Sequence, residues 1–179
     1  MITVRATRRL VLARSTAAGP RPSDEPQSDD GPLGTWVANI VPLPFPGRTL
    51  VLFTAADTLL SVVAPGRSLR TTLPIFQRRV PQLLKRLGLP EPWIQARTGD
   101  LAGVQLARVG TSTADRRVLG TMIDCAVHLR AEALAAGAYE HLDLDRLEDR
   151  LASVLVGALR SVRSSHGLPA DAVAELARS

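Results

Sequence analysis

Three apolar runs between residues 36 and 63 constrain the fold most, because the links between them are too short to hold a helix. The run at 36–41 ends at the proline-rich segment 42–47, and a second run follows at 49–54. A link of three residues then leads to the third run at 58–63. Parallel strands need a connection of a dozen or more residues, so these runs predict neighbouring antiparallel strands.

Helical spacing of apolar residues marks three longer segments. Apolar residues recur at steps of three and four over 68–87, which predicts a helix with one buried stripe. Ser112 and Asp115 form a capping-box pattern before a second helix at 114–135. A third helix is expected at 144–163. In the second helix, the expected buried stripe consists of Val118, Leu119, Met122, Ile123, Ala126 and Val127.

Further strands are expected at 2–6 and 102–109, and a short helix at 171–177. Together these elements predict an α+β fold, in which an antiparallel sheet of four to five strands is packed on one side by the three main helices. A length of 179 residues suits a single domain, 1–179. Within this domain, segment 14–32 is rich in proline, serine and acidic residues, so we expect a disordered loop there.

The composition excludes several classes of site. Hydrophobic residues make up 45% of the chain and aromatic residues 3%, which predicts an aliphatic core and argues against stacking platforms for single-stranded nucleic acid. Cys125 is the only cysteine, which excludes an intrachain disulfide and a cysteine-rich zinc site and fits a reducing cytoplasm. The apolar run after Arg8 and Arg9 is too short for an export signal, and no run predicts a transmembrane helix.

The basic residues are unusual, since 21 of the 22 are arginine and Lys85 is the only lysine. This bias indicates a GC-rich bacterial genome, which accounts for part of the pI of about 10.8. Residues 1–110 hold 14 basic and 7 acidic residues, a net charge of +7, whereas 111–179 hold 8 basic and 10 acidic residues, a net charge of −2. The first part of the chain therefore favours an anionic partner more than the second part does.

The segment 67–86 contains six basic residues and no acidic residue. Such a helix face can bind the phosphates of a nucleic acid, or it can bind an acidic surface of another protein. The alternative is a solvated face in an arginine-rich protein, because charge alone does not identify a partner. The candidate partner-binding residues are Arg70, Arg78, Arg79 and Arg86.

The strongest catalytic candidates are Asp124 and His128, which share a helix face with Glu132. A carboxylate beside an imidazole can support proton transfer, so a small hydrolase or transferase is one interpretation. The other is a set of solvated charges, since this face lies opposite the predicted buried stripe. No phosphate loop, nucleophile elbow or zinc-protease helix occurs in the sequence, and we predict neither a cofactor nor a metal.

Three single residues allow two interpretations each. Cys125 beside the predicted stripe favours a buried inert thiol over a nucleophile. Trp36 is expected in the core. Asn39 lies within an apolar run, where a structural hydrogen bond is favoured over a ligand contact because a buried amide needs partners.

Three segments of the chain resemble a small bacterial domain-of-unknown-function family. They are residues 5–10 (RATRRL), residues 33–39 (LGTWVAN) with the strand that follows, and residues 116–124 (RRVLGTMID). The chain departs from the family pattern at Asp115 and Ile123, where the family carries asparagine. The resemblance implies a compact α+β domain and no known activity.

The resemblance also directs attention to a pocket. Gly120 lies inside a predicted helix, where glycine is costly, so we expect another backbone to pack closely against it. The residues that could line a pocket are Arg5, Trp36, Asn39, Arg116, Gly120 and Asp124. Taken together, the sequence favours a cytoplasmic, non-enzymatic binding or regulatory module that contacts a protein or nucleic acid. The alternative is the small hydrolase or transferase that uses Asp124 and His128.

Overall fold

The computed structural model of the chain describes residues 2–12, 34–154, 156 and 167–178. The loop expected at 14–32 lies outside the described residues. The five strands are β1 (Ile2–Ala6), β2 (Thr35–Pro42), β3 (Thr49–Ala55), β4 (Ser61–Pro65) and β5 (Val104–Arg108). Within the described ranges the helices are α1 (Arg8–Leu12), α2 (Leu69–Arg86), α3 (Glu91–Thr98), α4 (Thr113–Ala136), α5 (Leu144–Ala152) and α6 (Pro169–Arg178).

The strands form one mixed sheet in the order β4-β3-β2-β1-β5. The antiparallel pairing of β2 with β3 and of β3 with β4 confirms the prediction from the short links. The prediction of a purely antiparallel sheet is wrong, because β1 runs parallel to both neighbours and pairs Val4 with Trp36 and with Leu106. The connections from β1 to β2 and from β4 to β5 are long, which allows both β2 and β5 to lie parallel to β1.

Helices cover both faces of the sheet, so the prediction of helices on one side is wrong. Trp36 and Phe53 pack on one face with Phe76 of α2. Val37 and Leu52 point to the opposite face and pack with residues of α4. Successive strand residues alternate between faces, so an unbroken apolar run signals burial on both sides. Three layers result, with the sheet between α2 and α4.

Helix α4 begins as expected, and its predicted buried stripe is confirmed only in part, at Val118 and Met122. Ser112 caps it by accepting from the Asp115 N–H, and Gly137 ends it with φ of 73°. Ile123 and Val127 were expected in the core and are instead 66% and 59% exposed. Apolar residues occur on two faces of this helix, so spacing alone could not identify the buried one. The buried residues of α4 are Asp115, Val118, Thr121, Met122, Cys125, Leu129 and Ala133.

The other helices agree with the sequence in part. Helix α2 confirms the segment 68–87, and α6 confirms the short helix near the end of the chain. Helix α5 ends at Ala152 rather than continuing to 163, and residues 157–163 lie outside the described part of the chain. Helix α3 was not predicted. Within the described ranges, no helix is both long and apolar enough to cross a membrane.

Candidate functional site

The end of β1 meets the start of α4 through Arg5, in the first of the resembling segments, and Asp115, next to the third. Arg5 Nη1 donates to Asp115 Oδ1 at 3.2 Å, and the two side chains are 18% and 5% exposed. Ser112 Oγ donates to Asp115 Oδ2 at 2.8 Å. A buried carboxylate is stable when its oxygens are paired in this way. The ion pair therefore fastens the first turn of α4 to β1.

Asn39 joins another of these segments to the end of β1. Its Oδ1 accepts from Thr7 Oγ1 at 2.8 Å and from the Ile40 N–H at 3.0 Å. The side chain is half-buried, and these bonds supply partners that an enclosed amide oxygen needs. Asn39 thus makes a hydrogen bond that holds the chain after β1 against β2.

Trp36 is 1% exposed and meets the ring of Phe76 edge-on, with centroids 5.0 Å apart. Among the described residues its Nε1 has no hydrogen-bond partner. The side chain lines a cavity of about 20 Å³ together with Thr58, Trp93 and Val173. That volume has room for about one water molecule and is far below the size of ordinary ligand sites. Trp36 is consequently a core residue beside a small void.

The remaining residues of the expected pocket, Arg116, Gly120 and Asp124, are exposed on α4. Arg116 Nη2 reaches Thr113 Oγ1 at 3.5 Å, within its own helix. A Cβ added at Gly120 would meet nothing within 4 Å, so the expectation of a closely packed backbone there is wrong. Among the described residues, no hydrogen bond or ion pair links these three to the Arg5–Asp115 pair.

The predicted catalytic residues of α4 do not come together in a cleft. Asp124 is exposed and His128 is half-buried, while Glu132 pairs with Arg150 at 2.7 Å. A cleft of about 260 Å³ lies where α4 ends and α5 begins, and Glu132 and His141 line it, but Asp124 and His128 do not. In the described part of the chain, no three histidine, cysteine or acidic side chains are grouped to hold a metal.

Cys125 lies on the buried side of α4 and is 5% exposed. Its Sγ is 4.0 Å from Ser61 Oγ on β4. Burial raises the pKa of the thiol to about 11. Because the thiolate is the reactive form, this environment suits a packing residue rather than a nucleophile.

Two of the four candidate basic residues on α2 are bound to α5. Arg79 Nε donates to Glu148 Oε1 at 2.7 Å, and Arg86 Nη2 donates to Glu148 Oε2 at 2.7 Å. Asp145 also accepts from Arg79 at 2.7 Å, and Asp149 accepts from Arg86 at 2.8 Å. These arginines therefore join α2 to α5 at the edge of the sheet. Glu148 was not predicted as their partner, because it lies more than 60 positions away from both of them in the sequence.

The electrostatics of this cluster favour the charged state of both arginines. Burial of the Arg79 guanidinium acts to lower its pKa, but hydrogen bonds and attraction from Glu148 and Asp145 outweigh burial and raise the pKa. Arg86 shows the same balance, with Asp149 and Glu148 raising its pKa against the effect of burial. Both cations are already neutralised within the fold, which leaves them poorly placed to neutralise phosphates.

The other basic residues of α2 point away from α5. Arg70, Arg78 and Lys85 are exposed and fall within about a quarter of the helix circumference. No carboxylate among the described residues lies within ion-pair distance of them. We call these three residues the basic face of α2.

Arg117, in the third resembling segment, is a further residue that sequence analysis missed. Its Nη2 donates to the Ala56 carbonyl at 2.5 Å, in the link between β3 and β4. Its Nε is buried and has no partner among the described residues. The same link contains Leu59 with φ of 56°, a conformation that non-glycine residues adopt rarely. Arg117 thus anchors a tight link to α4.

The outer surface of α4 carries an apolar stripe that defines the candidate site. Ile123, Val127 and Leu134 are 66%, 59% and 65% exposed, and they are all the large apolar side chains that the described residues leave exposed. At 100° per residue they fall on one line along the helix, nearly opposite the buried side. Exposed Gly120 and Ala131 lie beside this line, and the five residues together span about 80° of the helix circumference. We call these five residues the α4 stripe.

Comparison with known proteins places the chain by family alone. No curated protein and no solved structure matches it. The model of one protein family, described as a domain of unknown function (DUF6933), matches residues 3–171. This match covers most of the chain, including the sheet from Thr3 onward and the α4 stripe. The chain therefore belongs to the DUF6933 family of domains of unknown function.

Proposed function

We propose that this chain is a non-enzymatic binding module that docks a protein partner on the α4 stripe. The observation that carries the proposal is the alignment of Ile123, Val127 and Leu134, each more than half exposed, on one face of a long helix. Single exposed apolar side chains are ordinary, whereas a contiguous set on one element is typical of an interaction surface.

Helix α4 is firmly attached to the fold, so its exposed apolar residues favour a docking surface over a poorly packed helix. The helix is 24 residues long and is held at its start by the Arg5–Asp115 pair. Its buried side packs on the sheet through Met122 and Leu129. An exposed stripe on so firmly held a helix presents a preorganised surface, which lowers the entropic cost of binding.

The enzymatic alternative has less support. Asp124 and His128 line neither of the two cavities described above. General acid–base catalysis needs the acid or base within hydrogen-bond reach of a substrate, and substrates bind in concave pockets. The exposure of Asp124 offers no such environment.

The proposal is tested by selecting binders from a displayed library of genomic fragments of the organism that encodes the chain. Selected fragments should bind the wild-type chain and lose at least about tenfold in affinity for Ile123→Glu, because a buried charge opposes apolar docking. Ala96→Glu, at an exposed position on α3, is the matched control and should bind as the wild type does. Fragments that bind Ile123→Glu and the wild type equally would contradict the proposal.

Nucleic-acid binding on the basic face of α2 is a second candidate function. It is favoured by the exposure of Arg70, Arg78 and Lys85 on one side of α2, together with a net charge of +5. The set is smaller than the sequence suggested, since Arg79 and Arg86 are bound to α5. Phosphate binding should weaken steeply as salt concentration rises, which distinguishes it from apolar docking of a protein.

A further inference from the structure

We infer that the partner of the α4 stripe is a second copy of this chain, with the two α4 helices packed antiparallel around a two-fold axis at Val127. The inference rests on the proposed function, since it names the occupant of the same surface. A two-fold interface requires a self-complementary surface, in which a residue before the axis contacts one after it.

The α4 stripe has this self-complementarity in its side-chain sizes. Gly120 lies seven residues before Val127, and Leu134 lies seven residues after it. An antiparallel pair therefore sets Leu134 over the partner's Gly120. A Cβ built at Gly120 meets nothing within 4 Å, so this position has open space that a leucine of a facing helix can occupy.

The next layer inward repeats the pattern. Ile123 lies four residues before Val127, and Ala131 lies four residues after it. The same axis sets Ile123 beside the partner's Ala131, so a large side chain again meets a small one. Alternation of large and small residues lets two helices approach closely without voids.

The charges at the ends of α4 favour the same arrangement. Arg116 is exposed eleven residues before Val127, in the first turn of α4. The last turn of α4 contains no basic residue and ends ten residues after Val127, at Gly137. Antiparallel packing brings Arg116 to the C-terminal carbonyls of the partner helix, where a cation is stabilised by the helix dipole.

A parallel pair would lose each of these features. It would set Leu134 on Leu134 and Gly120 on Gly120, which crowds one layer and leaves a void in another. It would also bring the two Arg116 side chains together and align the helix dipoles in the same direction. The stripe is therefore built for the antiparallel pair.

Sedimentation equilibrium of the full chain tests the inference. The wild type should sediment at twice the monomer mass of 19.2 kDa. Leu134→Glu and Gly120→Leu should each weaken association at least tenfold, the first by burying a charge and the second by filling the space that the partner's Leu134 would occupy. Thermal melts followed by circular dichroism show whether each variant is folded, and Ala96→Glu on α3 should remain dimeric.

The position of the axis is tested by disulfide formation in a Cys125→Ala background. Val127→Cys lies on the axis, within disulfide reach of its counterpart, and should form a covalent dimer under mild oxidation. Ile123→Cys should not, because its counterpart lies about 12 Å away along the helices. Cross-linking of Ile123→Cys in preference to Val127→Cys would overturn this packing.

The failure of this inference can be told apart from the failure of the proposed function. A wild-type chain that is monomeric throughout, or a dimer that persists in Leu134→Glu and Gly120→Leu, overturns the self-association. In the monomeric case, loss of selected fragments in Ile123→Glu still supports docking of another protein on the α4 stripe. If the fragments are also insensitive to Ile123→Glu, both proposals fail.

Discussion

The Nε of Arg79 lies 2.7 Å from Oε1 of Glu148, whose side chain is fully buried although it carries a charge. The same carboxylate also accepts hydrogen bonds from Arg86 and from the N–H of Val63. It therefore ties α2 and β4 to α5 through one group. A buried carboxylate with this many partners is costly to remove, because all three donors lose their buried acceptor at once.

We expect Glu148→Ala to lower the free energy of unfolding by roughly 3–5 kcal/mol, since the backbone N–H of Val63 loses its acceptor and the two guanidinium groups keep only the more exposed Asp145 and Asp149. Urea denaturation measures this loss. The matched control is Glu140→Ala, which removes a carboxylate 68% exposed that pairs with Arg48 at 3.3 Å. Exposed pairs contribute about 0–1 kcal/mol, so equal effects of the two substitutions would contradict the assigned role of Glu148.

Cys125 gives the chain a predictable response to alkaline pH. Burial raises the pKa of its thiol from the ordinary 9.0 to about 11, so the unfolded chain loses this proton first. Stability should therefore be unaffected by this group below pH 9 and should fall as pH rises toward 11. At about pH 10, one pH unit above the pKa of the thiol in the unfolded chain, the free energy of unfolding should be lower by about 1.4 kcal/mol.

The measurement compares urea unfolding of the wild type and Cys125→Ala at neutral pH and near pH 10. The difference between the two proteins should shrink at the higher pH by the amount given, because only the wild type carries the thiol. A constant difference across this range would show that the thiol titrates normally in the folded chain.

Gly120 and Gly137 should respond in opposite directions to alanine. Gly120 is an exposed interior position of α4, where alanine adds about 1 kcal/mol of stability. Gly137 ends the helix with φ of 73°, so alanine there should cost about 1 kcal/mol by strain in the left-handed region. Thermal denaturation in a Leu134→Glu background measures both in a chain that cannot pair through the α4 stripe. Destabilisation by Gly120→Ala in that background would mean that other atoms of the same chain occupy the space beside this residue.

If the basic face of α2 binds nucleic acid, affinity should fall steeply with salt concentration. Each phosphate contact contributes about 0.9 to the slope of log affinity against log salt for duplex DNA. Arg78→Gln should therefore reduce the slope by about 0.9, measured by electrophoretic shift across a salt series. Arg146→Gln, an equal charge change at an exposed position on α5, is the control. Equal slopes for all three proteins, or no binding at low salt, would count against this function.

Local patterns in the sequence predicted the elements, and long-range relationships decided their arrangement. The short links between residues 36 and 63 were sufficient to predict the β2–β3–β4 meander. Nothing local could place β1, because its parallel partners β2 and β5 are joined to it through long connections. An apolar run such as β2 signals burial but does not say which strand lies beside it.

The candidate site was predictable to a smaller extent. Ser112 and Asp115 were recognised as a cap, but the pairing of Asp115 with Arg5 joins residues 110 positions apart. The exposure of Ile123 and Val127 could not be read from spacing, since α4 has apolar residues on both its buried and its outer side. Likewise, counting basic residues on α2 could not reveal that Glu148 binds Arg79 and Arg86.

The position of β1 in the sheet has a consequence for how the chain is made. Val4 pairs with Leu106, roughly a hundred residues later, so β1 leaves the ribosome well before the strand that completes its hydrogen bonds. Such non-local pairing raises the contact order and slows folding. During synthesis β1 can pair with β2 as soon as β2 is made, and the opposite edge of β1 stays exposed until β5 follows. A molecular chaperone that shields this edge should therefore raise the yield of folded chain, and a circular permutant that begins at β5 should fold faster.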